Sequence, residues 1–151
     1  MQDIEDFKKS IGRKSRLLGI DPGKKRVGLA ISDEDKLVST PLKTIIKKNN
    51  SNLAKEIKEI IEENNIKGIV VGNPLNMDGS KGSSSQSSND FARNLSNNIS
   101  VPVTMWDERL SSEGAFKLSA NTGVNTSKKI EKLDQNAASF ILQGALDYLK
   151  R

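Results

Sequence analysis

The sequence contains no cysteine and no histidine. The absence of cysteine excludes disulfide bonds and thiolate metal sites. The absence of histidine means that any general base or metal ligand must be a carboxylate, an amide, a hydroxyl or a water molecule. Such hard oxygen donors suit Mg²⁺ or Mn²⁺ rather than zinc.

Aromatic residues make up 4% and hydrophobic residues 34% of the 151 residues, which predicts one domain with a mostly aliphatic core. No apolar run is long enough to span a membrane. The first residues, MQDIEDFKKSIGRKS, carry acids and lack the apolar segment of a signal peptide. We therefore expect a cytoplasmic protein without membrane contact. Residues 1–15 are predicted to be a flexible, solvated extension, and residues 16–151 a single domain.

The charge balance favours an anionic partner. Lysine and arginine total 24 against 19 aspartates and glutamates, a net charge of +5. This excess does not by itself distinguish RNA, DNA and a membrane surface.

The stretch from Arg16 to Ser32, RLLGIDPGKKRVGLAIS, predicts a β-hairpin around which the rest of the chain is arranged. Its first apolar run ends at Asp21, and Pro22 and Gly23 then force a turn. Val27 to Ile31 is predicted to be the second strand. A carboxylate beside so much apolar surface is costly unless a positive group meets it. The alternative is that Asp21 only caps the turn.

A third strand is predicted from Lys36 to Ile46, with Leu42, Thr44 and Ile46 on one face. Pro41 places this strand at a sheet edge, because proline cannot donate a ladder hydrogen bond. A helix capped by Ser51 or Asn52 is expected to run to about Asn64. Its apolar stripe is Leu53, Ile57, Ile60 and Ile61. The β-branched run from Ile66 to Gly72 then predicts a buried strand, parallel to the first through a helical crossover.

The second half predicts two more helices and one strand. The Gly/Ser/Asn-rich segment from Asn73 to Ser88 is either a plain surface loop or a loop that contacts substrate. A helix is expected to begin at Ser83 or Ser84, with a stripe of Phe91, Ala92, Leu95 and Ile99. A strand from Val101 to Trp106 follows. The polar stretch from Asn121 to Lys132 is predicted to be a solvated loop, and the last helix to run from about Leu133 to Lys150.

Acids occur at two strand ends and on the last helix. Asp107 and Glu108 follow an apolar strand, as Asp21 does, and Asp134 lies on the inward stripe in the predicted first turn. Acids that converge repel one another unless divalent cations neutralise them, which predicts a metal site. The alternative for Asp107 and Glu108 is an exposed helix entry, because acids favour helix N-termini.

Several polar residues near these acids are candidates for substrate binding. Lys24, Lys25 and Arg26 lie in the hairpin tip beside Asp21, and Arg109 follows Glu108. Such groups can position a phosphate backbone. The alternative for Lys24 and Lys25 is that they are only solvated residues of the hairpin tip and bind no substrate. In the Gly/Ser/Asn-rich segment, Asn76 is the candidate for substrate binding.

The element order β-β-β-α-β-α-β-α resembles the ribonuclease H-like fold: an α/β fold with a five-stranded mixed sheet, in which a three-stranded antiparallel meander joins two parallel strands and helices cover both faces. The chain resembles the YqgF (RuvX) family more closely. The resemblance covers about Arg16 to Lys150 and rests on GIDPGKKRVGLA, VVGNPLNMDGS, DERLSS and LDQNAASFILQ. Each motif is weak alone, but together, in order and at the family's spacing, they are specific.

The YqgF family is described both as Holliday junction resolvases and as pre-16S rRNA nucleases. The resemblance therefore implies a phosphodiester-cleaving, two-metal nuclease using Mg²⁺ or Mn²⁺. Its acidic triad maps onto Asp21, Glu108 and Asp134, with Asp107 as a neighbouring ligand. The implied role is processing of the 5′ end of pre-16S rRNA in ribosome biogenesis, with a pre-ribosomal particle as partner. Cleavage of branched DNA is the alternative, and the protein is expected to be a monomer or a homodimer.

Two other classes of function share some of these features. An actin-like or sugar-kinase ATPase also opens with an acid and a glycine in a hairpin, but it needs a second, similarly folded domain, and the chain has no internal repeat. A non-catalytic RNA-binding assembly factor fits the net charge equally well. Acids retained without a metal would repel phosphate, which argues against it.

Overall fold

A five-stranded mixed sheet forms the centre of the fold. The structure, a computed structural model, describes the backbone of residues 1–23, 25–47, 50–73, 83–107 and 126–150, and the side chains in these ranges except at 50–51, 83–85 and 126–135. The strands are β1 (Arg16–Pro22), β2 (Arg26–Ser32), β3 (Ser39–Ile46), β4 (Ile66–Asn73) and β5 (Val103–Asp107). The described helices are α1 (Ile4–Ser10), α2 (Asn50–Asn64), α3 (Ser83–Asn98) and α4 (Thr126–Leu149).

The strand order is β3-β2-β1-β4-β5, so β1 is central. It pairs antiparallel with β2 and parallel with β4. At the two edges of the sheet, β3 pairs antiparallel with β2 and β5 pairs parallel with β4. The predicted mixed sheet is thus confirmed, and α2 supplies the crossover that a parallel neighbour of β1 requires.

The two faces of the sheet carry separate apolar clusters. On the first face, Leu18 and Ile20 of β1 pack with the stripes of α2 and α3. On the second face, Leu17 of β1 packs with α1 and α4. The predicted stripe residues all lie in or against the first cluster: Leu53, Ile57, Ile60, Ile61, Phe91, Ala92, Leu95 and Ile99. Helices on both faces are therefore confirmed.

β3 lies at the sheet edge, as Pro41 predicts, but its buried face differs from the prediction. Val27 pairs with Ile45, and Ile45 is buried while Ile46 is 65% exposed. The register shifts between Leu29 and Ala30, which pair with Lys43 and Pro41. Leu42 is the extra residue of this bulge and still packs against the first cluster. The predicted face of Leu42, Thr44 and Ile46 is therefore wrong, because a bulge interrupts simple alternation.

β3 begins at Ser39 rather than Lys36, because a polar turn precedes it. The Asp33 carboxylate accepts hydrogen bonds from the backbone N–H groups of Leu37 at 2.8 Å and Val38 at 3.0 Å. The bonds from Val38 and Leu37 lower the pKa of Asp33. They close the turn between β2 and β3 before the ladder starts.

The helix and strand starts also depart from the sequence pattern. α2 begins at Asn50, before the predicted caps, and β5 begins at Val103 rather than Val101. α4 begins at Thr126, so the predicted loop from Asn121 to Lys132 is wrong from Thr126 onward. Asp134 consequently lies about two turns inside α4 rather than in its first turn. The dipole at a helix start does not reach that far, since it falls off within one turn.

The N-terminal residues pack against the sheet, which corrects the expectation of a solvated extension. Phe7 of α1 is fully buried and Ile11 nearly so, both in the second cluster. A Cβ at Gly68 of β4 would come within 2.8 Å of the Phe7 ring, so the glycine makes room for α1. Gln2 forms a parallel bridge with Thr104 of the edge strand β5.

Phe7→Ala tests this packing. We expect the free energy of unfolding to fall by about 3–5 kcal/mol, the usual cost of truncating a buried phenylalanine. Lys9→Ala, on the exposed side of the same helix, should change it by less than about 0.5 kcal/mol. Urea unfolding of both variants measures the difference. Equal stability of the two would mean that α1 contributes nothing to the fold.

Among the described residues, no helix combines the length and the apolar character that crossing a membrane requires.

Candidate functional site

Three parallel strands end at the same side of the sheet, which we call the carboxyl edge. Asp21 lies at the end of β1, and Asn73 and Asp107, which pair with each other, end β4 and β5. Ligand sites of open α/β sheets lie at the carboxyl ends of parallel strands. Asp21 is partly buried on the central strand, so the carboxyl edge is the candidate site.

Side-chain alternation separates the two described acids of this edge. Leu17 packs in the second cluster, so Asp21, four residues further along β1, lies on the second face. Val103 and Met105 of β5 pack against the first cluster, which puts Asp107 on the first face. Asp107 and Asp21 are therefore on opposite faces of the sheet, separated by β4. The role of Asp107 as a ligand neighbouring Asp21 stays a prediction.

Helix α4 crosses β1 on the second face at a glycine. A Cβ at Gly19 would lie 2.6 Å from the Leu142 Cβ and 3.1 Å from the Ala138 carbonyl oxygen. Ala138, Ile141 and the following stripe of α4 are buried there. Gly19 thus permits a close approach of the helix that a larger residue would prevent.

Farther along, α4 contacts the end of the sheet opposite to the carboxyl edge. The Gln143 side chain accepts a hydrogen bond from the Ser39 N–H at 2.9 Å and donates one to the Leu37 carbonyl at 3.0 Å. Ser39 pairs with Ser32, whose hydroxyl accepts from the N–H of Leu17 near the start of β1. The helix therefore runs antiparallel to β1.

This direction places residue 134 near the level of Asp21. It precedes Ala138 by four residues, a rise of about 6 Å along a helix. Asp21 follows Gly19 by two residues, about 6.6 Å along a strand. One helical turn also keeps residue 134 on the face of α4 that carries Ala138. The backbone thus brings this position of α4 toward Asp21.

One row of residues crosses all five strands on the second face at the carboxyl edge. Thr44 pairs with Gly28, and Gly28 with Asp21. The register of β1 and β4 continues from Ile20 and Val71 to place Gly72 beside Asp21, and Gly72 pairs with Trp106. Asp21 is thus flanked by glycine on both sides. Sequence reasoning missed this row, because the register between the strands decides which residues lie beside Asp21.

The hairpin tip brings one of the predicted basic residues to the face of Asp21. Arg26 is two residues before Gly28 in β2 and so shares its face, while Val27 lies in the first cluster. Lys25 lies outside the strand and is exposed, and its carbonyl accepts a hydrogen bond from the Lys47 N–H at 2.8 Å. Arg26 is therefore better placed than Lys25 to meet a ligand held at Asp21.

The remaining predicted site residues lie outside the described part of the chain: Lys24, Asn76, Glu108, Arg109 and the side chain of Asp134. Among the side chains that are described, no three acids are close enough to form a metal site. The donor chemistry of the candidate acids is that of hard oxygen ligands, which suit Mg²⁺ or Mn²⁺.

Comparison with solved structures identifies the class of fold. The RuvC structure titled "T. thermophilus RuvC in complex with Holliday junction substrate" aligns with a TM-score of 0.54. The alignment covers 89% of this chain and 94% of that one, at 13% identity. This resemblance establishes the fold alone, a ribonuclease H-like fold.

Sequence comparison then identifies the family. The family model described as "RuvX: Holliday junction resolvase" matches residues 15–148. A Pelagibacter ubique (strain HTCC1062) protein is 56% identical over 99% of both chains. A Ruegeria pomeroyi protein is 43% identical over 99% of this chain and 97% of its own. Both are named "Putative pre-16S rRNA nuclease". The chain therefore belongs to the RuvX family.

Proposed function

We propose that this chain is a metal-dependent endonuclease that acts on structured RNA and processes the 5′ end of pre-16S rRNA. The observation that carries the proposal is Asp21, on the central strand at the carboxyl edge, with α4 directed so that residue 134 comes to its level. The names of the relatives that cover the whole chain support pre-16S rRNA as the substrate.

In this proposal Asp21, Glu108 and Asp134 hold Mg²⁺ or Mn²⁺. Bound divalent ions lower the pKa of a water molecule and stabilise the leaving oxygen of a phosphodiester. The carboxylates of the chain fix the positions of the ions, and no imidazole is available to serve as base. Three neighbouring carboxylates would otherwise repel both one another and the phosphate backbone, which argues against a non-catalytic role.

Glu108 is the better ligand of the two adjacent acids. Asp107 lies on the first face of the sheet, opposite to Asp21. The acidic triad that the motif resemblance implies contains Glu108, with Asp107 only as its neighbour. We therefore omit Asp107 from the proposed ligand set.

Lys24, Lys25, Arg26 and Arg109 are proposed to contact the phosphate backbone, and Asn76 to contact the substrate from its loop. We expect Arg26→Ala to reduce the slope of log RNA affinity against log salt concentration by about one, because one phosphate contact is lost. The matched control is Lys58→Ala, on the exposed side of α2, which should leave the slope unchanged. Filter binding across a salt series gives both slopes. Identical slopes in wild type and Arg26→Ala would remove Arg26 from the interface.

The experiment that tests the function is cleavage of a substrate panel by purified protein. The panel contains an RNA spanning the 5′ boundary of 16S rRNA, an unrelated structured RNA and a four-way DNA junction, each with Mg²⁺, Mn²⁺ or EDTA. We expect metal-dependent cleavage of the first RNA. RNA binding without cleavage under any metal would instead identify a non-catalytic assembly factor.

Branched DNA is the second candidate substrate. The description of the matching family model, Holliday junction resolvase, favours it. Cleavage of the junction in preference to both RNAs would assign resolvase activity and reject rRNA processing.

A further inference from the structure

A cavity of about 550 Å³ lies in the described part of the chain beside β5, the edge strand of the sheet. It is lined by Trp106 and its neighbours in β5, by Tyr148 of α4 and by the N-terminal residues Met1 to Ile4. Its volume falls in the range of about 300–1,000 Å³ that is usual for ligand sites. Asp107, the last residue of β5, also lines it, so the cavity reaches the carboxyl edge.

The single tryptophan and the single tyrosine of the chain meet at this cavity. The ring centroids of Trp106 and Tyr148 are 5.6 Å apart, and the ring planes are tilted by 58°. Trp106 is nearly buried and Tyr148 is half-buried. The Tyr148 hydroxyl donates a hydrogen bond to the Glu5 carboxylate of α1, which holds the ring in place. The cavity therefore has an aromatic wall, on which a planar group can stack.

Three polar atoms of side chains that line the cavity have no hydrogen-bond partner among the described residues. They are the indole N–H of Trp106, the hydroxyl of Thr104 and the amide oxygen of Gln2. Thr104 is fully buried and Trp106 is 7% exposed. The Gln2 amide nitrogen donates to the Ser10 hydroxyl at 3.1 Å, so the oxygen is the end without a partner. Leaving buried polar groups unpaired is costly, and a ligand with matching groups would remove that cost.

These three groups restrict the chemistry of the ligand. The indole N–H needs an acceptor and the Gln2 oxygen needs a donor, while a hydroxyl acts as either. A guanidinium or ammonium group carries no acceptor, and an ionised carboxylate or phosphate carries no donor. Anions are further disfavoured by Asp3 and Asp107, which also line the cavity. A nucleobase is planar and carries both donors and acceptors on its edge, so it matches both the polar groups and the aromatic wall.

We propose that this cavity binds an unpaired base of the RNA substrate. The base stacks on Tyr148, and its phosphate stays outside the cavity. The edge of the base makes hydrogen bonds with the Trp106 indole, the Thr104 hydroxyl and the Gln2 amide oxygen. Unpaired bases are the usual target of proteins that recognise RNA, because their edges are accessible. β5 is two strands from β1, about 10 Å, so one RNA molecule would reach both the cavity and Asp21. The inference rests on the proposed action on RNA and adds a place where one of its bases is held.

The experiment is an NMR titration of isotope-labelled protein without metal. Because the chain has a single tryptophan, one indole N–H resonance reports on Trp106. The probes are adenosine monophosphate, a short single-stranded RNA, ribose 5-phosphate and arginine amide. We expect the nucleotide and the RNA to shift this resonance to saturation, and the other two probes to leave it in place.

Variants test the assigned contacts through the affinity for adenosine monophosphate, measured from the same resonance. Tyr148→Leu should weaken binding by about 10-fold, because the stacking of one base is lost. Tyr148→Phe keeps the ring and should bind like wild type. Thr104→Val removes the unpaired hydroxyl at nearly constant shape and should weaken binding by about 2- to 10-fold, without lowering Tm. This variant keeps the proposal testable if circular dichroism shows that Tyr148→Leu does not fold.

An indole resonance that no probe shifts would overturn the proposal. A shift of equal size with ribose 5-phosphate would assign the effect to phosphate, and a shift with arginine amide alone would indicate a protein side chain as the occupant; both also overturn it. A response to the nucleotide but not to the RNA would reject RNA as the source of the base. Wild-type affinity in both Tyr148→Leu and Thr104→Val would reject the cavity as the binding place. Failure of the nuclease function looks different, because wild type would then cleave no member of the panel while the indole resonance still responds to RNA.

Discussion

Asp21→Asn is expected to reduce metal-dependent cleavage by about a thousandfold or more while leaving the fold intact. The reason is that a metal-held charge contributes several kcal/mol of transition-state stabilisation, and each 1.36 kcal/mol is a factor of ten in rate. Asparagine keeps the size of the side chain at the end of β1 but removes the charge that we propose holds the cation. RNA affinity without metal should not fall, because the change removes a negative charge from the site.

Asp107→Asn is the matched control for this prediction. Asp107 ends β5, a parallel strand separated from β1 by β4, at the same edge, yet it lies on the opposite face of the sheet. We expect cleavage within about twofold of wild type and a similar melting curve. Single-turnover rates in saturating Mn²⁺ measure both variants. An equal loss in the two would return Asp107 to the ligand set, and a wild-type rate in Asp21→Asn would reject the metal site.

The sheet could be predicted from the sequence because its signals are local. Continuous apolar runs at Leu17–Ile20 and Ile66–Gly72 indicate strands buried on both sides, and both lie at the centre of the sheet. Pro41 marks the edge strand for a reason that holds in any fold, its missing N–H. The bulge in β3 could not be predicted, since it depends on how β3 meets β2.

The ends of the chain were harder to predict because their packing is not local. α1 is short and polar. Its apolar residues Ile4, Phe7 and Ile11 are buried only because the helix packs over Gly68 of β4, which is distant in the sequence. The spacing of these three residues was the available signal. The first turns of α4 contain serine, threonine and lysine without apolar periodicity, so the sequence pattern set the helix start too late.

For the candidate site, the sequence predicted the acid at the end of the central strand but not its surroundings. Asp21 follows an apolar run and precedes a turn, and this pattern can be recognised from the local sequence alone. Whether Asp107 shares its face depends on the position of β5 in the sheet and on the alternation within it. The glycines that flank Asp21 come from two other strands, and only the register brings them into one row.

The last prediction separates two acids of α4. Asp134 and Asp147 are thirteen residues apart, which at 100° per residue puts them about 140° out of phase. Residue 134 shares the helix face of the buried Ala138, whereas Asp147 is exposed. Asp147 accepts a hydrogen bond from the Gln143 amide at 3.1 Å and lies 3.6 Å from the Lys150 ammonium. These partners offset its unfavourable charge near the helix C-terminus, so neutralising Asp147 should not raise the stability of the protein.

Asp134→Asn should therefore lower the metal-dependent rate by about 100-fold or more, since a proposed metal ligand is lost. Its effect on stability should be small or favourable, because one of several crowded acids is removed. Asp147→Asn should leave the rate unchanged and alter stability by less than about 0.5 kcal/mol, as exposed ion pairs contribute little. Paired measurements of Tm and of single-turnover cleavage in saturating Mn²⁺ compare the two. Equal activity of the two variants would mean that α4 supplies no ligand and that the triad of Asp21, Glu108 and Asp134 is wrong.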